Sequence, residues 1–269
     1  MATHVGALMG FAVMAAERGE PVRLDRPFVA RWVREGCARA LLFVLAPLGL
    51  GQGRPAPSGS GKRGPDEGRA PVLLVPGHGQ NRSALAFLRI FLTSRGWAWV
   101  WPVNVSTSEG GLADRASELS RRVDELLRVT GAEQVDIVGH GLGGLAAAWY
   151  VRHLDGAPKV RRLVTLATPW RGTKMAVFGG ERLAEDLRLD APALDALAPP
   201  PVPTVAVWSP VDNDIVPAAS AVPEGAESVE VADAGHTEML ISARIYRAVQ
   251  AALSHLPSTT SRGEEAVSP

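Results

Sequence analysis

"VDIVGHGLGGLAAAWY", residues 135–150, passes from an apolar run through a cluster of glycines into an alanine-rich apolar run. That order spells a strand, a tight turn and a helix. Gly139, Gly141 and Gly144 fit G-x-G-x-x-G, in which a glycine turn cradles a pyrophosphate at the start of a helix. The same letters fit G-x-S-x-G, a sharp turn that lifts a nucleophile above the end of a strand, with Gly141 in the serine's place. The segments around this turn decide between the two.

From residue 70 onward, short β-branched runs alternate with helical patterns, the arrangement of a parallel sheet covered by helices on both faces. Strands are predicted at 71–76, 97–103, 134–139, 161–167, 203–208 and 227–232, and helices at about 83–95, 112–130, 142–154 and 237–254. The expected fold class is α/β, a mostly parallel sheet of about six strands. Right-handed crossovers then bring the carboxyl ends of the strands to one edge, where open sheets of this kind hold their sites.

A dinucleotide fold carries its glycine fingerprint in the first strand–helix unit and an acidic residue about 20 positions later. Here the turn follows the third predicted strand, and the next strand ends in "TLATPW" with no Asp or Glu. The nucleophile turn makes other demands: backbone donors after an early strand, then nucleophile, acid and histidine in chain order. "VPGHGQN" after the first strand supplies His78 and Gly79, "SPVDNDIVP" after the fifth supplies Asp212, and "ADAGHTEML" after the sixth supplies His236.

Taken in order, "PVLLVPGHGQNR", "VDIVGHGLGG", "VRRLVTLATPWRGT", "SPVDNDIVPAASA" and "AGHTEML" make residues 70–255 resemble the bacterial lipase and esterase branch of the α/β-hydrolase superfamily. The resemblance implies an α/β-hydrolase fold and hydrolysis of carboxylic esters by acyl transfer. It also implies Asp212 as acid, His236 as base, and the amides of His78 and Leu142 as oxyanion donors. No cofactor and no metal are implied. The expected partner is an ester or lipid-like small molecule. The sequence departs from the family in having Gly141 for the usual serine, and Trp170 where a histidine often stands.

A serine at such a turn is held at a strained, positive φ. Glycine adopts that backbone readily, so its presence keeps the turn and relieves about 1–3 kcal/mol of strain, while removing the oxygen that would form an acyl-enzyme. Three readings stay open. The chain is an inactive relative that binds an ester, lipid or protein; or a hydrolase using water activated by His236 and Asp212, or another nucleophile; or a nucleotide-binding protein. Ser83, Ser106, Ser108, Thr168, Ser209 and Cys37 are substitutes by type, but none stands at a strand–turn–helix apex. Asp214 shares the loop of Asp212 and competes with it. His140, one residue before the apex, reads as structural, and His4, His153 and His255 show no metal-ligand spacing.

Lys plus Arg equals Asp plus Glu at 28 each, so no overall field favours nucleic acid or an anionic surface. One cysteine excludes an internal disulfide. Residues 1–50 form an apolar helical extension. The run at 5–16 has the length of a signal segment without its basic flank, and the run at 40–50 is interrupted by Pro47. Two packed helices are expected there, with weak membrane association and secretion as the minority readings. Residues 51–69 read as a Gly/Pro-rich linker, 70–256 as the folded domain and 257–269 as a disordered tail. The excursion at 171–201 is the candidate lid. Its Met175, Val177, Phe178, Leu183 and Leu187 are expected either in an acyl pocket or on the buried face of a helix. Trp97, Trp99 and Trp101 are expected on one face of a strand.

Overall fold

The structure, a computed structural model, describes residues 2–19, 25–57, 69–105, 110–178, 181–198 and 200–254. The predicted tail and most of the predicted linker lie outside the described residues. The strands are β1 (Val72–Val75), β2 (Val100–Pro102), β3 (Val135–His140), β4 (Val160–Leu166), β5 (Thr204–Trp208) and β6 (Glu227–Glu230). They pair in parallel in the order β2-β1-β3-β4-β5-β6. The helices are α1 (Ala2–Glu17), α2 (Arg26–Leu45), α3 (Ala86–Ser94), α4 (Leu112–Thr130), α5 (Leu142–His153), α6 (Glu181–Leu187), α7 (Pro192–Asp195) and α8 (Ala243–Ser254).

The pleat of β1 explains the two-sided cover. Leu73 and Val75 pack with Leu119, Val123 and Leu145 of α4 and α5, whereas Val72 and Leu74 pack with Leu88, Leu92 and Val249 of α3 and α8. Each such side chain contributes roughly 1.5–3 kcal/mol by leaving water. β2 lies on one side of β1 and β3 on the other, so the strand order reverses between β1 and β3. Sheets of this kind bind ligands beyond the strand ends at such a reversal.

Local signals set the element ends. At the start of α4, Asp114 Oδ2 accepts the Gly111 N–H at 3.0 Å and Asp186 Oδ2 accepts the Leu112 N–H at 2.9 Å. The helix stops at Gly131, whose φ of 71° is left-handed. α2 begins at Asp25, whose side chain accepts the Phe28 N–H at 2.8 Å, with Pro27 in the first turn. α1 packs on α2 through Phe11 and Phe28, ring centroids 5.6 Å apart and edge to face. No described helix is long and apolar enough to cross a membrane.

One expectation is corrected. Trp97, Trp99 and Trp101 do not share a face. The strand begins only at Val100, after a bend at Ala98, so Trp97 packs with the α3/α8 layer and Trp99 and Trp101 with the opposite one. Alternation holds only along extended backbone. The start of the predicted linker is not free: Gln52 Oε1 accepts the Asn104 N–H at 2.7 Å, and Gly51 O accepts from Arg82 Nε at 3.0 Å. Gly-rich composition does not prevent backbone carbonyls from being held by side chains that reach them.

Candidate active site

Gly141 stands between the last residue of β3 and the first of α5, at φ 50° and ψ −120°. Its neighbours are glycines for want of space. A Cβ on Gly139 would fall 2.6 Å from Gly144 Cα, and one on Gly144 would fall 2.0 Å from Thr168 Oγ1. At Gly141 a Cβ would meet His236 Nε2 at 3.4 Å, His236 Cε1 at 3.6 Å and the Ala167 carbonyl at 3.9 Å, all ordinary contacts. Backbone strain, and not crowding, is what opposes a side chain at this turn.

Asp212 follows β5 and His236 follows β6, so parallel strands deliver both to the same sheet edge as Gly141. Asp212 is 1% exposed. Its Oδ1 accepts the N–H groups of Asp214 at 2.8 Å and Ile215 at 2.9 Å, which leaves Oδ2 3.1 Å from His236 Nδ1. The His236 backbone N–H donates to Asn213 Oδ1 at 3.2 Å. The arrangement fixes Nδ1–H toward Asp212 and leaves Nε2 beside Gly141, with no hydrogen-bond partner among the described residues. Burial alone would lower this imidazole. The charges of Asp212, Asp214 and Glu35, with the Asp212 hydrogen bond, outweigh it and push it up to about 9. His140 is fully buried beneath, with Nδ1 3.2 Å from Gln80 Oε1 and Nε2 3.2 Å from the His236 carbonyl. Burial and the neighbouring His236 hold it well below its ordinary value, which suits the structural part expected of it.

The Asp212 and Asp214 alternatives separate cleanly: Asp212 faces His236, while Asp214 Oδ1 accepts from the Arg39 guanidinium at 2.6 Å. Arg39 in turn donates to Glu35 at 2.8 Å. Glu35 is wholly buried, and its carboxylate accepts the N–H groups of Thr237 and Glu238 at 3.0 Å, immediately after the histidine. α2 therefore braces both loops of the Asp212–His236 pair. Sequence reasoning missed Glu35, Arg39 and Asn213. The available signal was Glu35, the single acid of an arginine-bearing helix, four residues before Arg39 and followed by small Gly36 and Ala38, a pair that needs a reason to be buried.

A cavity of about 620 Å³ opens beside Gly141. His78, Gly79 and Leu142 line it, and the amide N–H groups of His78 and Leu142 have no acceptor among the described residues. Burial, with the nearby Arg115 charge, keeps the His78 imidazole below its ordinary value. From the excursion at 171–201, Met175, Phe178 and Leu187 reach the cavity; Val177 does not, being 72% exposed, and the Leu183 side chain lies outside the described residues. The excursion is tied down where it enters, with Thr173 Oγ1 donating to the Asp214 carbonyl at 2.7 Å. Met9, Leu42 and Phe43 of α1 and α2 line the cavity as well. The amino-terminal helices, read as an extension, are thus part of the cavity.

Among the described residues no hydrogen bond joins the other candidate hydroxyls or the thiol to His236. Ser83 donates to Asn81 Oδ1 at 2.6 Å, Ser209 Oγ accepts from Val211 and Ala234, Thr168 is buried against Gly144, and Cys37 is exposed. Ser106 and Ser108, like His255, lie outside the described residues. Among the described residues no group of His, Cys, Asp or Glu is placed to hold a metal ion.

Two curated proteins named triacylglycerol lipase, from Pseudarthrobacter phenanthrenivorans and Burkholderia plantarii, are each 35% identical to the chain over 127 residues, 44% of its length. The chain spans only 39% and 34% of the length of these relatives. No protein-family model matches it. Among solved structures, Aspergillus fumigatus lipase B aligns over 71% of this chain and 54% of its own, with a TM-score of 0.62 at 17% identity. The mature form of Bacillus licheniformis lipase BlEst2 aligns over 76% of this chain and 99% of its own, with a TM-score of 0.62 at 14% identity. The fold is that of the α/β-hydrolases, and over 127 residues the chain is similar in sequence to the two triacylglycerol lipases.

Proposed function

We propose that the chain is a lipase- or esterase-like hydrolase scaffold in which Gly141 holds the nucleophile's position. It binds an ester or lipid-like molecule and turns esters over at a small fraction of the family's rate. The observation that carries this reading is the 3.4 Å between His236 Nε2 and the Cβ position of Gly141. A serine hydroxyl there would lie within hydrogen-bonding reach of an imidazole already oriented by Asp212. His236 and Asp212 keep the roles of base and acid, and the amides of His78 and Leu142 form the oxyanion hole. Losing the nucleophile from such a set costs about a million-fold in turnover and leaves roughly 10³–10⁴ over water. Direct attack by water on the ester would call on the same His236 as base, so any such turnover should rise toward about pH 9 as the imidazole loses its proton.

A fluorophosphonate probe tests the assignment of the nucleophile. The native chain is expected to stay unlabelled and the Gly141→Ser variant to be labelled at residue 141. Labelling of the native chain at any serine would show that another nucleophile serves.

The amino-terminal region also supports weak association with a lipid surface. Phe43, Val44, Leu48 and Leu50 are each at least 70% exposed, and Phe43 borders the cavity. Replacing Phe43 and Leu48 by serine is expected to reduce co-sedimentation with phosphatidylcholine vesicles several-fold. Unchanged co-sedimentation would remove this part of the proposal.

A further inference from the structure

We infer that the site beside Gly141 is a receptor for a free carboxylate on an acyl chain, so that its ligand is a fatty acid anion in preference to an ester. The inference rests on the reading of Gly141 as a vacated nucleophile position and adds the ligand's charge to it.

Three donors converge on the cavity, two backbone amides and one imidazole. The amides of His78 and Leu142 carry no acceptor among the described residues, and Leu142 opens the 12-residue helix α5, whose dipole favours an anion. The third is independent of that helix end. His236 is 8% exposed, its ring lines the cavity, and its Nε2 has no partner among the described residues. In a serine hydrolase the hydroxyl would occupy the space between Nε2 and the turn. Here glycine leaves room for a ligand oxygen to approach Nε2 while a second oxygen takes the amides. Met9, Leu42, Phe43, Met175 and Phe178 give an alkyl chain an apolar wall, beside the paired charges of Arg39 and Asp214.

The charge state follows from the groups that face the imidazole. Asp212 and Asp214 act from the loop after β5, Glu35 from α2 and His140 from β3, and Arg39 of α2 and His78 of the loop after β1 line the same cavity. Their balance keeps His236 protonated at neutral pH, so Nε2 donates a charge-assisted hydrogen bond. Asp212 is engaged by His236 and Glu35 by backbone N–H groups, while Asp214, which lines the cavity together with Arg39, is paired with the Arg39 guanidinium through Oδ1. An ester offers only a neutral carbonyl to these donors; a carboxylate offers charge to all of them.

Calorimetric titration of the full chain with octanoate, octanol and methyl octanoate tests this. At pH 7 octanoate is expected to bind about tenfold or more tightly than octanol. Its affinity should fall by about tenfold per pH unit above about 9, with octanol unaffected. Gly141→Ala, which places a methyl group in the oxygen's path, should weaken octanoate about tenfold and spare octanol; His236→Gln should do the same and abolish the pH dependence. Circular dichroism confirms that each variant is folded. Octanoate binding no tighter than octanol, or not at all, overturns the inference. Binding of methyl octanoate in preference to octanoate, with ester hydrolysis by Gly141→Ser, overturns it and leaves the proposed function standing. Octanoate binding with this pH profile, with no hydrolysis by Gly141→Ser, upholds it and overturns the nucleophile assignment.

Discussion

At the residue scale, Gly141 carries opposite consequences for stability and chemistry. Its φ of 50° and ψ of −120° are a backbone that side chains adopt only under strain. Gly141→Ser should therefore lower the unfolding free energy by about 1–3 kcal/mol, even though the hydroxyl gains a partner in His236. Urea denaturation reads this directly, and a serine variant as stable as the native chain would mean that the turn is relaxed. Glycine spacing made this turn legible, because Gly139 is demanded by the close Gly144 backbone and Gly144 by the Thr168 side chain, which leaves a fixed signature in the sequence. The choice between Asp212 and Asp214 was not legible on physical grounds. What separates them is Arg39, which takes Asp214 from a helix 175 residues earlier.

Secondary elements with strong local patterns were read well. α4 spans the predicted 112–130 because its buried Leu112, Ala116, Leu119, Val123 and Leu126 mark one helical face and Gly131 ends it. α1 and α2 were foreseen as a packed pair, yet their place at the site was not, since the partners of Glu35 lie about 200 residues away in sequence. That placement has a measurable consequence. Glu35→Ala would strand two backbone N–H groups and leave Arg39 with Asp214 alone, at a cost of about 3–5 kcal/mol. Glu35→Gln keeps an acceptor and should cost less. Either change removes a charge that holds the His236 proton, so the titration midpoint of His236 by NMR should move down. A midpoint that stays in place, in a variant that remains folded, would mean that α2 braces the loops without acting on the imidazole.

For the molecule as a whole, two buried histidines shape the dependence of stability on pH. His236 is held at about 9 against 6.5 in the unfolded chain. Its contribution is complete below about pH 6.5 and is lost as pH rises through about 9, on the order of 3 kcal/mol. His140 is held low, so its neutral form favours the fold and stability falls as pH drops below about 6.5. Unfolding measured from pH 5 to 10 should show a maximum near neutrality. Asp212→Asn should flatten the alkaline limb alone, and an alkaline limb unchanged by that substitution would place the proton elsewhere.

The central claim is that the chain retains a hydrolytic centre complete but for one oxygen. Turnover of a short p-nitrophenyl ester by the native chain and by Gly141→Ser tests it most directly. The serine variant is expected to be faster by about 10³-fold or more, with kcat/KM rising toward pH 9 as His236 loses its proton, and with no activity once His236→Ala is added. Equal turnover by the two proteins, abolished in both by His236→Ala, would contradict it.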